Sequence, residues 1–319
     1  MTRVAAIDQG TNTTRLLVAD VADGRLDEVH RETRITRLGE RVDARRRLLP
    51  VPIARVRNVL SDYRRTAESL GAARMLLIAT SAVRDAENGE AFLGEIEWSY
   101  GFATQLLSGH DEAELTYRGV AAGRDLDGGT LIVDVGGGST ELVAAGADGL
   151  RFHDSLDIGC VRLTERFLAS DPPTEKELAA CAAAVQALLA ERVPDDVRPR
   201  AAIGVAGTIT SLAALDLRLD EYDSDRVHGR RLSRPAVEEQ LALLACVPLE
   251  TRRTIRPLEP ERAQVIVAGV VILREILDHF GLESIEASER DILDGAALAA
   301  AELPESEEGA APPGAYTCC

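Results

Sequence analysis

Residues 130–146 read TLIVDVGGGSTELVAAG, and this stretch decides the fold. A β-branched apolar run ends in Asp134, three glycines and two hydroxyl residues follow, and a second apolar run then begins. Short apolar runs on both sides of a glycine-rich turn are typical of a β-hairpin. Three consecutive glycines are entropically unfavourable unless the backbone needs positive φ angles or a ligand approaches it closely. The stretch therefore predicts a hairpin whose turn binds a ligand.

A nearly parallel pattern lies close to the N-terminus, where residues 4–20 read VAAIDQGTNTTRLLVAD. Here too a strand pattern ends in an aspartate, Asp8, before a turn of Gly, Thr and Asn and a second strand pattern. Asp8 and Asp134 are 126 residues apart. A repeat of that length predicts two similar domains that face each other and carry one hairpin each.

Strand and helix patterns alternate along the rest of the chain. Helical periodicity covers residues 51–70 and 111–123, and the apolar run at 74–80 indicates a buried strand. Alternation with short connections is typical of an α/β fold with mixed sheets. We predict an N-terminal domain over residues 1–125, a C-terminal domain over residues 126–303, and a disordered Pro/Gly-rich tail over residues 304–319.

Both turns carry the kinds of group that bind phosphate and magnesium. Glycine lets a phosphate approach the backbone, and amide and hydroxyl groups donate to its oxygens. Asp8 ends the first strand, and Asp134 and Glu141 flank the second turn; carboxylate oxygens are the ligands that Mg²⁺ prefers. The first turn alone would suit an ordinary hairpin equally well, but its repetition favours a Mg²⁺ site that uses Asp8, Asp134 and Glu141.

Three further segments hold polar residues near the ends of predicted strands or the starts of predicted helices. TSAVRDAEN places Arg84 where it could contact phosphate, although a structural salt bridge at a helix start would give the same pattern. SGHDEAE places Glu112 near a helix start, where exposed amides stabilise a carboxylate. GVAGTIT places Gly207 and Thr208 at a helix start, which suits either an anion site or tight packing of the helix.

The composition narrows the class of protein. Hydrophobic residues make up 45% and charged residues 28% of the chain, as in a soluble globular protein. The net charge of -17 and the aromatic content of 3% disfavour nucleic-acid binding, which needs basic patches and aromatic platforms. No apolar run reaches about 18 residues, and no signal-peptide pattern opens the chain. We therefore expect a cytoplasmic protein with no nucleic-acid or membrane partner.

Local charge departs from the acidic total. Arginines gather in three runs, namely Arg31, Arg34 and Arg37, then Arg45, Arg46 and Arg47, and later Arg226, Arg230, Arg231 and Arg234. Runs that line the site would form a basic track for a polyanion, whereas runs elsewhere would be a solvated surface.

The motifs DQGTNTTR, TSAVRDAEN, SGHDEAE and DVGGGSTE, in this order, resemble the exopolyphosphatase/guanosine pentaphosphate phosphatase family, which has the fold of actin, sugar kinases and heat-shock ATPases. The resemblance extends over nearly all of the chain, through about Leu298. It implies two actin-like (ribonuclease H-like) α/β domains, mixed β-sheets flanked by helices, and an active site in the interdomain cleft. It also implies a hydrolase of phosphoanhydride bonds.

The resemblance further implies roles for individual residues. Glu112 would activate the attacking water, and Glu141 would help to place metal or water. The residues that would bind phosphate are Gly10, Thr11, Asn12, Thr13, Arg15, Arg84, Asn88, Gly136, Gly137, Gly138, Ser139 and Thr140, to which the helix start adds Gly207 and Thr208. SERDILDG at 288–295 departs from the family's SxxGLREG, so no role for it is implied.

Several readings of the function stay open at this point. The first is Mg²⁺-dependent, processive or distributive hydrolysis of inorganic polyphosphate, with short chains favoured because the C-terminal extension of longer family members is missing. Guanosine pentaphosphate is an alternative substrate, since its hydrolysis breaks the same kind of bond. An alarmone-binding regulator with vestigial catalysis and an ATP-dependent sugar or acetate kinase are further alternatives. The apolar helix predicted at 261–280 would serve either as core or as the interface of a homodimer.

Overall fold

The computed structural model describes residues 1–124, 126, 128–146 and 149–304. Beyond Pro304, the predicted disordered tail lies outside the described residues. The chain divides into two compact units. Unit 1 comprises Met1–Arg124 together with the chain from Arg290 onward, and unit 2 comprises Asp125–Glu289.

Unit 1 is built on a five-stranded sheet in the order β3-β2-β1-β4-β5. The first three strands form an antiparallel meander, and β4 and β5 run parallel to β1. The strands are β1 (Thr2–Gln9), β2 (Thr13–Ala22), β3 (Arg25–Ile35), β4 (Arg74–Ala79) and β5 (Ala103–Leu106). The helices among them are α1 (Val42–Arg45), α2 (Pro50–Ser69), α3 (Ser81–Arg84), α4 (Gly89–Tyr100) and α5 (Gly109–Ala121).

Local sequence explains where the long helices of unit 1 begin and end. Proline at the first position of α2 has no amide hydrogen to lose and a φ that suits a helix. Gly101 ends α4 at φ 66°, in the left-handed region that glycine enters without steric cost. Ser108 and Asp111 form a reciprocal capping box at the start of α5.

Unit 2 repeats this architecture on a six-stranded sheet in the order β10-β11-β9-β6-β7-β8. Its strands are β6 (Thr130–Val135), β7 (Thr140–Gly146), β8 (Gly149–Leu156), β9 (Ala201–Val205), β10 (Arg231–Ser233) and β11 (Ser284–Ala287). Its helices are α6 (Cys160–Phe167), α7 (Glu175–Arg192), α8 (Ala206–Asp216), α9 (Ser224–Val227), α10 (Arg234–Ala245), α11 (Leu249–Arg252) and α12 (Ile266–Phe280). A meander of β6, β7 and β8 is again followed by two parallel neighbours, β9 and β11.

The last helix, α13 (Ile292–Glu302), belongs to unit 1. It packs with α5 on the sheet face opposite to the one that α2 and α4 cover, and Leu293 and Ala297 are buried there against Val4 and Leu17. The predicted C-terminal domain over 126–303 therefore differs from the structure at its end. The sequence of α13 holds no information about which of the two sheets the helix covers.

The architecture expected from the sequence is confirmed. Counted from the outer strand of each meander, β3-β2-β1-β4-β5 and β8-β7-β6-β9-β11 run in the same directions, which is the mixed-sheet topology of actin-like domains. The helix predicted at 261–280 begins later, at Ile266, after a 3₁₀ turn over Arg262–Gln264. Residues 266–273 are all buried, so the apolar run of α12 is core. In the described part of the chain, no helix combines the length and apolarity needed to cross a membrane.

Candidate active site

The turn between β1 and β2 is closed by a hydrogen bond from the Gly10 amide to the Thr13 carbonyl, 2.9 Å. Its other carbonyls point to the segment after β3. The Asn12 carbonyl accepts from the amides of Thr36 and Arg37 at 3.0 and 2.9 Å, and the Thr11 carbonyl accepts from Gly39 at 2.8 Å. Any Cβ at Gly39 would lie 2.2 Å from the Thr11 side chain, so only glycine allows this close approach.

The donors of this turn remain available. Among the described residues, no group accepts a hydrogen bond from the backbone amides of Thr11 and Asn12. The side-chain nitrogen of Asn12 is also buried without a hydrogen-bond partner there. Adjacent unbonded amides form a concave site for an anion, which is the arrangement predicted for Gly10–Thr13.

Asp8 and Arg15 lie opposite each other in the β1–β2 pair. Arg15 donates from Nε and Nη2 to Asp8 Oδ2 at 2.9 and 2.6 Å, and from Nη1 to Asp291 Oδ2. Burial lowers the pKa of Arg15 while Asp291 and Asp8 raise it, and the result lies well above the ordinary value. The structure thus places Arg15 between two buried carboxylates, and its predicted phosphate contact stays a prediction.

The second carboxylate oxygen of Asp8 is the feature that suits a metal ion. Oδ1 is buried and has no hydrogen-bond partner among the described residues. Burial raises the pKa of Asp8, an effect that Arg15 opposes. An unpartnered buried carboxylate oxygen is unfavourable on its own, and coordination of a cation would satisfy it. Asp8 therefore fits the predicted role of a Mg²⁺ ligand.

The turn between β6 and β7 is closed by the same hydrogen bond as the first turn. The Gly136 amide donates to the Ser139 carbonyl at 3.1 Å. The Gly137 carbonyl accepts from the amides of Val161 and Arg162, at 2.9 and 3.1 Å. Arg162 also donates from Nε to the Gly138 carbonyl at 2.7 Å. No described group accepts from the amides of Gly137 and Gly138. The repeat in the sequence is therefore also a repeat of hydrogen bonding.

Asp134 and Glu141 form a cross-strand pair in this second hairpin. Residues directly opposite in an antiparallel pair point to the same face of the sheet, and both carboxylates are buried. Glu141 Oε1 accepts from the Ser155 hydroxyl at 2.8 Å. The pair fits Mg²⁺ as oxygen ligands. Among the described residues, no three Asp, Glu, His or Cys side chains are grouped to hold a metal, so a Mg²⁺ ion here would depend on water or substrate oxygens as well.

Glu112 is 3% exposed and lies in the first turn of α5. Arg84 donates from Nη1 to Glu112 Oε1 and also to the Leu107 carbonyl, the latter at 2.8 Å. The alternative of a salt bridge at this position is thus correct for Arg84. Its partner is the predicted catalytic base, so the contact fixes the orientation of that carboxylate.

The sheet of unit 1 brings these parts to one edge. Gln9 pairs with Ala79, and Ala79 pairs with Leu106, so the parallel strands β1, β4 and β5 end at the same level. The turn at 10–13, Arg84 and Glu112 all follow these ends. Ligands of open α/β sheets bind beyond the carboxyl ends of parallel strands. In unit 2 the same register aligns Asp134 with Val205, just before α8.

The side-chain amide of Asn88 forms hydrogen bonds with the backbone of a neighbouring segment. Its Oδ1 accepts from the Leu48 amide at 2.8 Å, and its Nδ2 donates to the Leu48 carbonyl at 3.1 Å. These bonds tie the segment before α2 to the segment before α4. These bonds give Asn88 a structural role, and its predicted phosphate contact stays a prediction.

The sequence predicts the start of α8 to be either an anion site or a place of tight helix packing, and Gly207 and Thr208 show features of both. Thr208 is buried and packs so closely on Gly269 that a Cβ there would lie 2.7 Å from its side chain. Gly207 instead leaves room for a guanidinium, since a Cβ at this position would meet Nη1 of Arg262 at 2.0 Å. Arg262 is a cation that the sequence does not reveal, because ERAQ at 261–264 has no pattern that points to a site.

Each unit therefore repeats one arrangement, in which an actin-like sheet carries a first hairpin with a buried aspartate before a turn of unbonded amides. These features define a two-unit α/β protein of the actin-like class. The chain belongs to the Ppx/GppA phosphatase family, whose model matches residues 17–301. The match confirms the resemblance carried by the four motifs, and with it the prediction of a hydrolase.

Individual relatives cover most of the chain. Exopolyphosphatase 2 of Mycobacterium tuberculosis is 40% identical, over 94% of this chain and 99% of that protein. A guanosine-5'-triphosphate,3'-diphosphate pyrophosphatase of Aeromonas hydrophila is 30% identical, over 88% of this chain and 56% of that protein. The solved structure of the Aquifex aeolicus Ppx/GppA family member matches with a TM-score of 0.79 at 32% identity, over 93% of this chain and 97% of that one.

Proposed function

We propose that this protein is a Mg²⁺-dependent exopolyphosphatase, which hydrolyses the terminal phosphoanhydride bond of inorganic polyphosphate. The observation that carries the proposal is Glu112, a carboxylate buried at the start of α5 and held by Arg84. Burial of a charged group is unfavourable unless it is paired, and Arg84 is the partner that holds Glu112 in this buried position. Glu112 lies beyond the strand ends, and the helix that holds it through Arg84 also contacts the first turn, since the Ser81 and Thr11 hydroxyls are 3.0 Å apart. This position suits a base that acts on a phosphoryl group.

In the proposed reaction, the terminal phosphate lies against the amides of Thr11 and Asn12, which donate to its oxygens and hold it in place. Glu112 accepts a proton from water as the water oxygen forms a bond to phosphorus. The bond from phosphorus to the bridging oxygen breaks, and the shortened chain leaves with the electron pair of that bond. Arg84 keeps the Glu112 carboxylate oriented throughout, and general-base assistance of this kind contributes about 10²–10⁴-fold.

Magnesium is part of the proposal. Asp8 would be a Mg²⁺ ligand within unit 1, and Asp134 and Glu141 would be Mg²⁺ ligands within unit 2. When bound, the ion would neutralise negative charge on phosphate oxygens. The residues of the chain contribute the rest, since the amides of both turns donate to oxygens and the buried hydrogen bonds of their carbonyls keep those turns rigid.

Hydrolysis of the 5′-phosphate of guanosine pentaphosphate is the second candidate, because it breaks the same kind of bond. The relative named for that substrate is 30% identical and extends well beyond the matched region, whereas the exopolyphosphatase relative is 40% identical and matched over 99% of its length. The longer and closer match favours polyphosphate.

A substrate panel tests the proposal. Phosphate release is measured with Mg²⁺ from polyphosphates of graded length and from guanosine pentaphosphate, for the wild type, Glu112→Gln and Glu114→Gln. Glu114 is the matched control, because it is an exposed glutamate on the same helix. We expect Glu112→Gln to lose about 10²–10⁴-fold in kcat while Glu114→Gln stays near the wild type. Equal rates for both variants would place the base elsewhere, and release from the guanine nucleotide alone would select the second candidate.

A further inference from the structure

Two of the three arginine runs seen in the sequence are largely neutralised by ion pairs. In the first run, Arg31 pairs with Asp294 and Glu28, and Arg34 with Glu32. In the run of unit 2, Arg230 pairs with Asp216, Arg231 with Glu286, and Arg234 with Asp278. Charges that are paired in this way contribute little to the attraction of a polyanion.

The middle run differs. Arg45, Arg46 and Arg47 are exposed, and among the described residues none of them forms an ion pair. They lie in residues 37–47, which we call the arginine segment. One of its two acids, Glu40, is itself paired with Arg55 at 2.9 Å. Three adjacent cations thus retain their full charge on the surface of an acidic protein.

The backbone of the arginine segment is unusual. Arg37, Arg41 and Arg46 have φ angles of 52°, 59° and 53°, in the left-handed region. A Cβ makes this conformation unfavourable, and glycine would adopt it without strain. Arg46 gains no ion pair in return for the strain. Strained residues cluster at functional sites, and at Arg46 the strain coincides with two neighbouring exposed cations.

One end of the arginine segment is bonded to the phosphate turn. The amide of Arg37 donates to the Asn12 carbonyl at 2.9 Å, and the amide of Gly39 donates to the Thr11 carbonyl at 2.8 Å. These are the carbonyls of the two residues whose own amides are unbonded. The arginine segment therefore starts where the terminal phosphate of the proposed substrate would bind.

The other end is bonded to the segment that follows Arg84. The Arg46 carbonyl accepts from the Glu87 amide at 2.8 Å, and Leu48 exchanges two hydrogen bonds with Asn88. The backbone on either side of the three cations is thus bonded to the turn that would bind the terminal phosphate and to the segment that follows Arg84.

We infer that Arg45, Arg46 and Arg47 bind the internal phosphates of a polyphosphate chain, beyond the terminal unit that is cleaved. The inference rests on the proposed function and names the residues that extend its site. A linear polyanion with a charge on every unit matches three adjacent, unpaired guanidinium groups. Exposed contacts of this kind are weakened by salt, and three of them together contribute about a factor of ten in binding.

The test compares a triple variant, in which all three arginines are replaced by Gln, with the wild type on long-chain polyphosphate and on tripolyphosphate. We expect the KM for long chains to rise about tenfold and the KM for tripolyphosphate to rise less than twofold. The KM for long chains should also become less sensitive to added salt. Equal increases on both substrates, or an unchanged salt dependence, would overturn the inference.

Two glycine variants separate recognition from folding. Arg46→Gly removes one cation and relieves a left-handed residue, so we expect a melting temperature at or above that of the wild type and a raised KM for long chains. Arg218→Gly is the matched control, because Arg218 is an exposed arginine at φ 52° at the end of α8. It should give the same thermal result with an unchanged KM. Equal KM values for the two variants would count against the inference.

Direct binding keeps this inference separable from the proposed function. If the wild type releases no phosphate from any polyphosphate, the proposed function fails. Calorimetric titration with long-chain polyphosphate then decides the inference alone. Weaker binding by the triple variant would support it, and equal binding or no binding by the wild type would overturn it.

Discussion

The buried charges around Arg15 allow a quantitative prediction about stability. The side chains of Arg15, Asp8 and Asp291 are 15%, 6% and 5% exposed. Arg15→Gln leaves both carboxylates buried without the cation between them. Removal of one partner from a buried ion pair lowers the free energy of unfolding by about 3–5 kcal/mol, and we expect a loss in that range at neutral pH.

Asp291→Asn should be milder, because Arg15 keeps Asp8 as its partner. Asp291 also caps α13 by accepting from the Leu293 amide at 2.9 Å, and Asn caps helices as well as Asp does. The main loss is one charged hydrogen bond, and the repulsion that Asp291 exerts on Asp8 disappears with it. We expect a decrease of about 1–2 kcal/mol.

The pH dependence separates the two variants further. Burial raises the pKa of Asp8, and loss of Arg15 should raise it more. A carboxyl group whose pKa is higher in the folded than in the unfolded state favours the fold at low pH, and this contribution is lost as the pH rises through the folded value. The destabilisation by Arg15→Gln should therefore be smaller at about pH 5 than at about pH 7.

Urea unfolding followed by circular dichroism at both pH values measures these differences. Arg34→Gln is the control, because its pair with Glu32 is partly exposed and should contribute less than about 1 kcal/mol. The reasoning is refuted if Asp291→Asn destabilises as much as Arg15→Gln at neutral pH, or if the loss caused by Arg15→Gln does not depend on pH.

Two further predictions concern local structure. The capping hydrogen bonds to Thr174 lower the pKa of Glu177 from 4.5 to about 2, so its contribution to stability is present above pH 4.5 and is lost as the pH falls towards 2. Thermal unfolding of Glu177→Gln should therefore show a smaller decrease in melting temperature across that range than the wild type, and an equal decrease would contradict the assignment. A Cβ at Gly159 would lie 2.3 Å from the Gly137 carbonyl oxygen, so Gly159→Ala should displace the second turn and lower the free energy of unfolding by about 1–3 kcal/mol. Unchanged urea unfolding would show that the second turn can move without a loss in the free energy of unfolding.

The sequence predicts the parts of the site that depend on local pattern. Asp8 and Asp134 are the next-to-last residues of their strands, and both hairpins form as expected. Gly136, Gly137 and Gly138 do not adopt positive φ angles, so that reason for the three glycines is wrong, and close approach of a ligand stays a prediction. The identity of long-range partners is not a local property. Arg15 and Asp291 are separated by 276 positions, and only the packing of α13 on the first sheet brings them together. Arg262 beside Gly207 escapes prediction for the same reason.

Asn88 shows a related difficulty. A polar residue after a strand can bind a ligand or form hydrogen bonds with the backbone of a neighbouring segment. The local sequence around the residue does not distinguish these two roles. The outcome depends on where Leu48 lies, and that position is set by the packing of α2. The helix at 266–280 presents the same difficulty, because its apolar pattern suits both an interface and a core. Only the burial of its residues in the structure assigns it to the core.

The place of α13 has a consequence for the order in which the protein takes shape during synthesis. A chain that has grown to Glu289 contains all of unit 2 but lacks Asp291 and Asp294, the second carboxylate partners of Arg15 and Arg31. Arg15 and Arg31 leave the ribosome early, but these second partners follow only when nearly the whole chain has been made. Unit 2 has its full sequence sooner, although domains usually complete from the N-terminus onward. Residues made first during synthesis are thus among the last to acquire all of their ion-pair partners.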